Sequence, residues 1–205
     1  MHVVELMQNI KIIFIDLFGV LIGADNTQIL NYVQSCSSNE KTSVYHVLFG
    51  EKCMELERSE INFNQYFQYV QYALDCSSIN YNQFRTLWKE MKAGVLPMVS
   101  FVDELRAKKY KLFILTNTTE RHVARLKERY DFFNKFNGVI TSDLAGHVKP
   151  NVELFSFAAN YCQAQPSECA FIDDSYINVQ VAKEQGMAVH QYSNHDRLSS
   201  FLSQF

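Results

Sequence analysis

The sequence predicts an α/β protein whose core is a doubly wound parallel sheet, interrupted after its first strand by a helical segment. Three observations predict this class. Short, wholly apolar runs are typical of strands buried on both faces, and helical periodicity lies between the later runs. The stretch from about 24 to 95 carries helical patterns and no convincing strand. The 205 residues suffice for one domain with a modest insertion.

The predicted strands are apolar runs rich in β-branched and aromatic residues. The strong runs are Ile12–Ile15, Leu112–Leu115 and Ala170–Ile172, and the weaker ones are Val139–Ile140 and Met187–Val189. Because strands alternate with helices after residue 97, we expect βαβ units and a Rossmann-like core.

The helices between these strands are predicted from apolar residues spaced three or four positions apart. Three such faces are Val99 with Val102 and Leu105, Val123 with Leu126 and Tyr130, and Val152 with Phe155, Ala159 and Cys162. Pro150 is expected in the first turn of the last helix, where a missing N–H costs nothing.

The insertion is predicted to be a small helical bundle. Asn62 with Gln65, and Asn80 with Gln83, have the spacing of capping boxes. A stripe that fits a bundle core, rather than a cofactor site, consists of Phe84, Leu87, Trp88 and Met91.

Composition excludes several classes of partner. A net charge of −3, evenly spread, gives no reason to expect nucleic acid or an anionic membrane. No apolar run approaches the roughly 18–20 residues of a membrane span, and no secretory signal is visible. The five cysteines include no C-x-x-C pair, so free thiols in a reducing, cytoplasmic environment are expected.

Chemically active residues stand where the predicted strands end, which is where ligands bind in open α/β sheets. Asp16 ends the first strand and is followed by Gly19, which permits a tight turn, so the acid is a candidate nucleophile or metal ligand. Capping of that turn explains Asp16 equally well when it is taken alone. Thr116 and Asn117 close a later strand and could bind an anion, although helix capping is the favoured explanation when this motif is taken alone.

Two further groups complete the set. Lys149 precedes a predicted helix and could hold an anion, although alone it is an ordinary surface lysine. Asp173 and Asp174 are adjacent at a strand end, with Asn178 four residues later. Adjacent acids repel each other unless a cation or hydrogen-bond donors offset their charge, and Mg²⁺ prefers such oxygen ligands; helix capping is the alternative.

The ordered set Asp16, Thr116, Lys149 and Asp173–Asp174 resembles the four motifs of the haloacid dehalogenase superfamily. The segment 56–61 resembles the cap segment of its subfamily I, in which a helical cap follows the first motif, and the chain is similar to the group of epoxide-hydrolase N-terminal domains and glucose-1-phosphatases. The resemblance implies an α/β core over residues 1–22 and 96–205 and an α-helical cap over 23–95.

The resemblance also implies roles for individual residues. Asp16 would attack a phosphoryl group and form an aspartyl-phosphate, which water then hydrolyses, and Lys149 would hold nucleophile and phosphate together. Thr116 and the Asn117 backbone would bind phosphoryl oxygens.

The implied cofactor is Mg²⁺, bound by Asp16, the backbone carbonyl of Phe18 and Asp174, with Asp173 and Asn178 supporting that shell. The implied partner is a small phosphorylated substrate, with the protein a monomer or a homodimer.

Phe18 departs from the family pattern, because related phosphatases usually, though not always, carry there a second Asp that protonates the leaving group. Three interpretations stay open. The protein is a phosphatase that works without this acid, an impaired family member that binds or regulates without turnover, or a hydrolase similar to 2-haloacid dehalogenases. The retained pair Asp173–Asp174 argues against the last, because those enzymes replace it with neutral residues.

Overall fold

The computed structural model describes residues 10–90, 92–193 and 200–201. They form two compact units. The helical unit is Ala24–Gly94, and the core unit lies within Met1–Gly23 and Val95–Phe205.

The core unit contains a five-stranded parallel sheet. Its strands are β1 (Ile12–Ile15), β4 (Lys111–Thr116), β5 (Gly138–Thr141), β6 (Cys169–Asp173) and β7 (Ala188–Gln191). They lie in the order β5-β4-β1-β6-β7. From the central β1 the chain builds one side of the sheet and then the other, which is the doubly wound topology predicted from the sequence.

Each predicted apolar run is a strand because both faces of the sheet are covered. All four residues of β1 are buried, and Ile15 is in register with Ile114 of β4 and Ile172 of β6. On one face, Phe14 and Phe171 pack with Phe155 of the helix that precedes β6.

Helices connect these strands. They are α6 (Met98–Ala107), α7 (Glu120–Lys127), α8 (Ser142–Ala145), α9 (Val152–Tyr161) and α10 (Tyr176–Glu184), with short 3-10 segments at Asp131–Lys135 and Pro166–Glu168. Met98, Val102 and Leu105 form the buried face of α6.

The structure corrects the predicted start of α9. Asn151 is the N-cap, so Pro150 precedes the helix rather than lying in its first turn. The buried face is Leu154, Phe155, Ala158 and Ala159, whereas Val152 is 40% exposed. The prediction placed Val152 on the buried face because Val152 and Phe155 are three residues apart, a spacing that fits one apolar face. The face that is actually buried begins at Leu154. Similarly, Tyr130 lies beyond the end of α7.

The helical unit consists of five helices in the described part of the chain. They are α1 (Thr27–Ser35), α2 (Lys41–Phe49), α3 (Glu51–Glu57), α4 (Phe63–Ala73) and α5 (Tyr81–Lys89). Tyr66 and Phe84 are fully buried in its own apolar cluster, and Trp88 packs against that cluster. This unit therefore has a core of its own.

Capping residues begin two of these helices. Asn62 and Gln65 form a complete capping box, whereas Asn80 accepts from the Gln83 N–H without the reciprocal bond. Met91, the last residue of the predicted stripe, lies outside the described residues.

Two short strands were missed by the sequence analysis. β2 (Ile22–Asp25) and β3 (Lys92–Val95) pair as a separate two-stranded sheet. Gly23 and Gly94 interrupt both runs, so neither has the apolar alternation by which a strand is recognised in sequence. In the described part of the chain, no helix has the length and apolar character needed to cross a membrane.

Candidate active site

Three neighbouring strands bring the predicted site residues to one edge of the sheet. Asp16 directly follows β1, Thr116 ends β4 and Asp173 ends β6. β4 and β6 are the two neighbours of β1, and parallel strands place their carboxyl ends on the same side. The Asp16 N–H continues the ladder by donating to the Ile172 carbonyl at 2.9 Å.

Lys149 bridges two of these acids in the interior. Its Nζ lies 2.6 Å from Asp16 Oδ1 and 2.7 Å from Asp173 Oδ2, and the lysine is only 3% exposed. A buried ammonium is tolerated only when it is paired and hydrogen-bonded. The interpretation of Lys149 as an ordinary surface lysine is therefore wrong.

Asn117 fixes the backbone of Lys149. Its Oδ1 accepts from the Lys149 N–H at 2.7 Å, and its Nδ2 donates to the Lys149 carbonyl at 2.9 Å. This two-way bond ties the end of β4 to the loop that carries the lysine. The side chain of Asn117 therefore has a positioning role that the sequence analysis did not foresee.

Asp173 accepts four hydrogen bonds from three donors. Besides Lys149, its carboxylate accepts from the Ser175 N–H at 2.8 Å and from Asn178 Nδ2 at 3.1 Å to each oxygen. Both oxygens of this fully buried carboxylate therefore have protein partners, one of which is Lys149.

The electrostatics of the trio depend on burial. Burial raises the pKa of Asp16 to about 7; the Asp173 carboxylate adds to this rise, and Lys149 opposes it. For Lys149, burial alone would lower the pKa, but Asp16 and Asp173 outweigh it and raise the pKa above the usual value. The Lys149 ammonium therefore stays charged, while the pKa of the Asp16 carboxyl lies near neutral pH.

An acidic cluster at this edge can hold a divalent cation. Asp16, Asp173 and Asp174 each offer a carboxylate oxygen, and these three oxygens lie within 4.8 Å of one another. Burial and the neighbouring Asp173 raise the pKa of Asp174, a shift that a bound cation would reverse. Hard oxygen donors at this spacing fit Mg²⁺.

Gly19 allows Asp174 to approach the turn after β1. Its φ of +88° belongs to the left-handed region, and a Cβ at this position would lie 2.3 Å from Asp174 Oδ2. The glycine thus does more than permit the predicted turn, because it also makes room for a candidate ligand.

Thr116 presents a polar atom with no protein partner. The residue is 1% exposed, and among the described residues its Oγ1 has no hydrogen-bond partner. Thr119, not Thr116, caps α7 by accepting from the His122 N–H. The hydroxyl of Thr116 is thus left for a ligand, since buried hydroxyls otherwise find a partner.

His122 was not singled out from the sequence. Its ring packs against Phe18 with centroids 5.8 Å apart, and its Nδ1 lies 2.9 Å from Thr118 Oγ1. Burial, helped by Arg125, lowers the pKa of the imidazole. The i, i+4 spacing from Thr118 at the start of a helix is the signal that could have identified it.

The sequence matches one known protein family over most of its length. The sequence profile of haloacid dehalogenase-like hydrolases matches residues 10–186. The chain belongs to this family. Family membership and the parallel sheet confirm the predicted fold and the hydrolase class.

Individual relatives are distant. A sesquiterpene phosphatase, astK of Aspergillus oryzae, is 28% identical over 90 residues, covering 44% of this chain and 46% of that protein. The acyl-CoA dehydrogenase family member 10 of Mus musculus is 27% identical over 141 residues, or 68% of this chain and 11% of that protein. The matched regions thus span less than half of either relative.

A solved structure shares the fold. The haloacid dehalogenase family enzyme bt-2542 of Bacteroides thetaiotaomicron, in complex with magnesium and inorganic phosphate, superposes with a TM-score of 0.72. The two sequences are 22% identical, and the superposition covers 92% of this chain and 98% of the bt-2542 chain.

Proposed function

We propose that this hydrolase is a Mg²⁺-dependent phosphatase that acts on a small phosphorylated substrate through a phosphorylated Asp16. The observation that carries the proposal is the buried trio Asp16–Lys149–Asp173, beside an acidic cluster and the unpartnered hydroxyl of Thr116. A nucleophilic carboxylate, a buried cation and an anion-binding hydroxyl are the groups that phosphoryl transfer requires.

The two oxygens of Asp16 differ in their hydrogen bonds, which supports different roles for them. Oδ1 accepts from the Leu17 N–H at 2.7 Å and from Lys149, whereas no donor to Oδ2 occurs among the described residues. Oδ2 is therefore the attacking oxygen. It forms a bond to phosphorus as the ester bond breaks, and the departing oxygen takes its proton from solvent.

Lys149 and Thr116 stabilise the transferred group. The Lys149 ammonium offsets the negative charge that gathers between the carboxylate and the phosphoryl oxygens. The Thr116 hydroxyl donates to one of these oxygens, which satisfies the atom that the protein itself leaves without a partner.

The cation would be held by Asp16, Asp174 and the backbone carbonyl of Phe18, with Asp173 and Asn178 supporting the shell. When bound, Mg²⁺ neutralises phosphoryl charge and orients the phosphate for in-line attack. The solved bt-2542 complex contains magnesium and phosphate, which supports this choice.

The helical unit Ala24–Gly94 is proposed to be the cap that excludes water and selects the substrate. Its aromatic interior is an apolar core of its own, as expected of a separate cap domain. The relative from Aspergillus oryzae is a sesquiterpene phosphatase, so an apolar phosphate ester is a reasonable substrate to test early.

The proposal is tested by hydrolysis of an aryl phosphate and a panel of phosphate esters, including a sesquiterpenyl phosphate. Each is measured with Mg²⁺ and with EDTA. Asp16→Asn is the matched blank, because it retains the shape of the side chain without its nucleophilic oxygen. Metal-dependent turnover that disappears in Asp16→Asn is expected. Folded protein that binds Mg²⁺ without turnover above this blank would favour a binding or regulatory role instead.

A further inference from the structure

We infer that His122 binds and orients the water that hydrolyses the phosphorylated Asp16. Phe18, at the position where related phosphatases usually have an Asp, has no polar side-chain atom that could do so. This inference rests on the proposed phosphatase function. It concerns only the second half-reaction, in which the acyl phosphate is hydrolysed.

The His122 ring lies near the turn that follows the nucleophile. Phe18, two residues beyond Asp16, is in the turn closed by the Leu21 N–H to the Leu17 carbonyl at 3.0 Å. The His122 ring rests against the Phe18 ring at a centroid distance of 5.8 Å and an interplanar angle of 34°. The imidazole is thus held beside the turn that directly follows Asp16.

The imidazole ring of His122 is fixed by a hydrogen bond at Nδ1. Nδ1 pairs with Thr118 Oγ1 at 2.9 Å, and Thr118 is 1% exposed. The Thr118 carbonyl in turn accepts from the N–H of Ser142 at 3.1 Å and from its Oγ at 3.0 Å. One edge of the imidazole is therefore held by Thr118, in the loop between β4 and α7, and Thr118 is itself bonded to Ser142 at the start of α8.

The second ring nitrogen of His122, Nε2, is available to bind water. With Nδ1 engaged by Thr118, the hydrogen-bonding capacity left to the ring is at Nε2. A fixed side chain that orients the attacking water is a recurrent part of phosphoryl-transfer sites. Packing against Phe18 alone would need neither the hydroxyl of Thr118 nor a polar ring.

The step balances without a further reactant. The water oxygen bonds to phosphorus, and the bond between phosphorus and Asp16 Oδ2 breaks, returning its electron pair to the carboxylate. Both water protons remain on the released phosphate. His122 supplies only a hydrogen bond that fixes the position of the oxygen.

The test separates the two half-reactions with an aryl phosphate. Release of the phenol in a burst reports phosphorylation of Asp16, and the later linear rate reports hydrolysis. His122→Phe keeps a ring against Phe18 but lacks Nε2. We expect its burst to remain, its linear rate to fall by about 10²-fold, as for loss of one preorganised hydrogen-bonding group, and phosphorylated protein to accumulate by intact mass.

His122→Gln is the matched control, because its side-chain amide can place a polar atom near the position of Nε2. Its linear rate should exceed that of His122→Phe. An unchanged linear rate in His122→Phe, or an equal slowing of burst and linear phase, would overturn the inference while leaving the phosphatase proposal intact. Absence of both phases in the native protein would overturn both.

Discussion

Replacing Lys149 with methionine is the sharpest test of how the site is held together. Methionine keeps most of the side-chain volume but removes the ammonium between Asp16 and Asp173. The two carboxylates then face each other in the interior with one fewer donor. The matched control is Lys11→Met, because Lys11 also pairs with an acid, Glu168, but is 63% exposed at its side chain.

The expected magnitude follows from burial. At an effective dielectric constant of about 20, each contact near 2.7 Å provides roughly 6 kcal/mol of gross attraction. Desolvation of the ions offsets most of it, yet removing one partner of a buried pair costs about 3–5 kcal/mol. Because Asp16 already has a raised pKa of about 7, it can take up a proton in the variant, which favours the lower end of that range.

Urea unfolding in EDTA measures this cost. Far-UV circular dichroism follows the whole chain, whereas the single tryptophan, Trp88, reports the helical unit. We expect Lys149→Met to lower the midpoint seen by circular dichroism and to leave the Trp88 transition nearly unchanged.

The pH dependence gives a second readout. A carboxyl group whose pKa is raised on folding penalises the folded state increasingly as the pH rises through that pKa. The stability of Lys149→Met should therefore increase as the pH is lowered from about 8 towards 5, where Asp16 becomes protonated. Equal midpoints for Lys149→Met and Lys11→Met at neutral pH would refute the reasoning.

Three further variants test single contacts. Gly19→Ala should lower the Mg²⁺-induced rise in melting temperature, because its Cβ would displace Asp174; Gly146→Ala, with φ +72° but open space around it, should not. Thr116→Val should lower turnover by about 10²-fold while leaving the free energy of unfolding equal or higher, since it removes a buried hydroxyl without a protein partner. Phe18→Asp should raise turnover of alkyl phosphates more than of aryl phosphates, because alkoxide leaving groups need a proton donor; equal effects on both would contradict this.

The strands of the core were predictable because their residues leave little choice. A run such as Ile12–Ile15 buries side chains on both faces, and only a covered parallel sheet accommodates four such residues in succession. The capping box of Asn62 and Gln65 was equally local, since both partners lie within one helical turn.

Predictions failed where the local pattern was ambiguous. Val152 fits the apolar spacing of α9, yet Leu154 and Ala158 face the core instead. β2 and β3 gain their hydrogen bonds from each other across a long sequence separation, and glycines in both hide the strand pattern. Tertiary pairing, rather than propensity, decides such short strands.

The sequence alone determined which residue types end the strands, and therefore that acids, a hydroxyl and an amide would lie at one edge of a parallel sheet. It could not determine that Lys149 is buried between Asp16 and Asp173, because a lysine in a polar loop is ordinarily solvated. That burial depends on Asn117, which holds the loop from another strand. The sequence also could not place His122 against Phe18. This contact depends on the pairing of β4 with β1, because His122 follows β4 and Phe18 follows β1. Contacts between distant segments set the desolvation and the distances, and these give the site its chemistry.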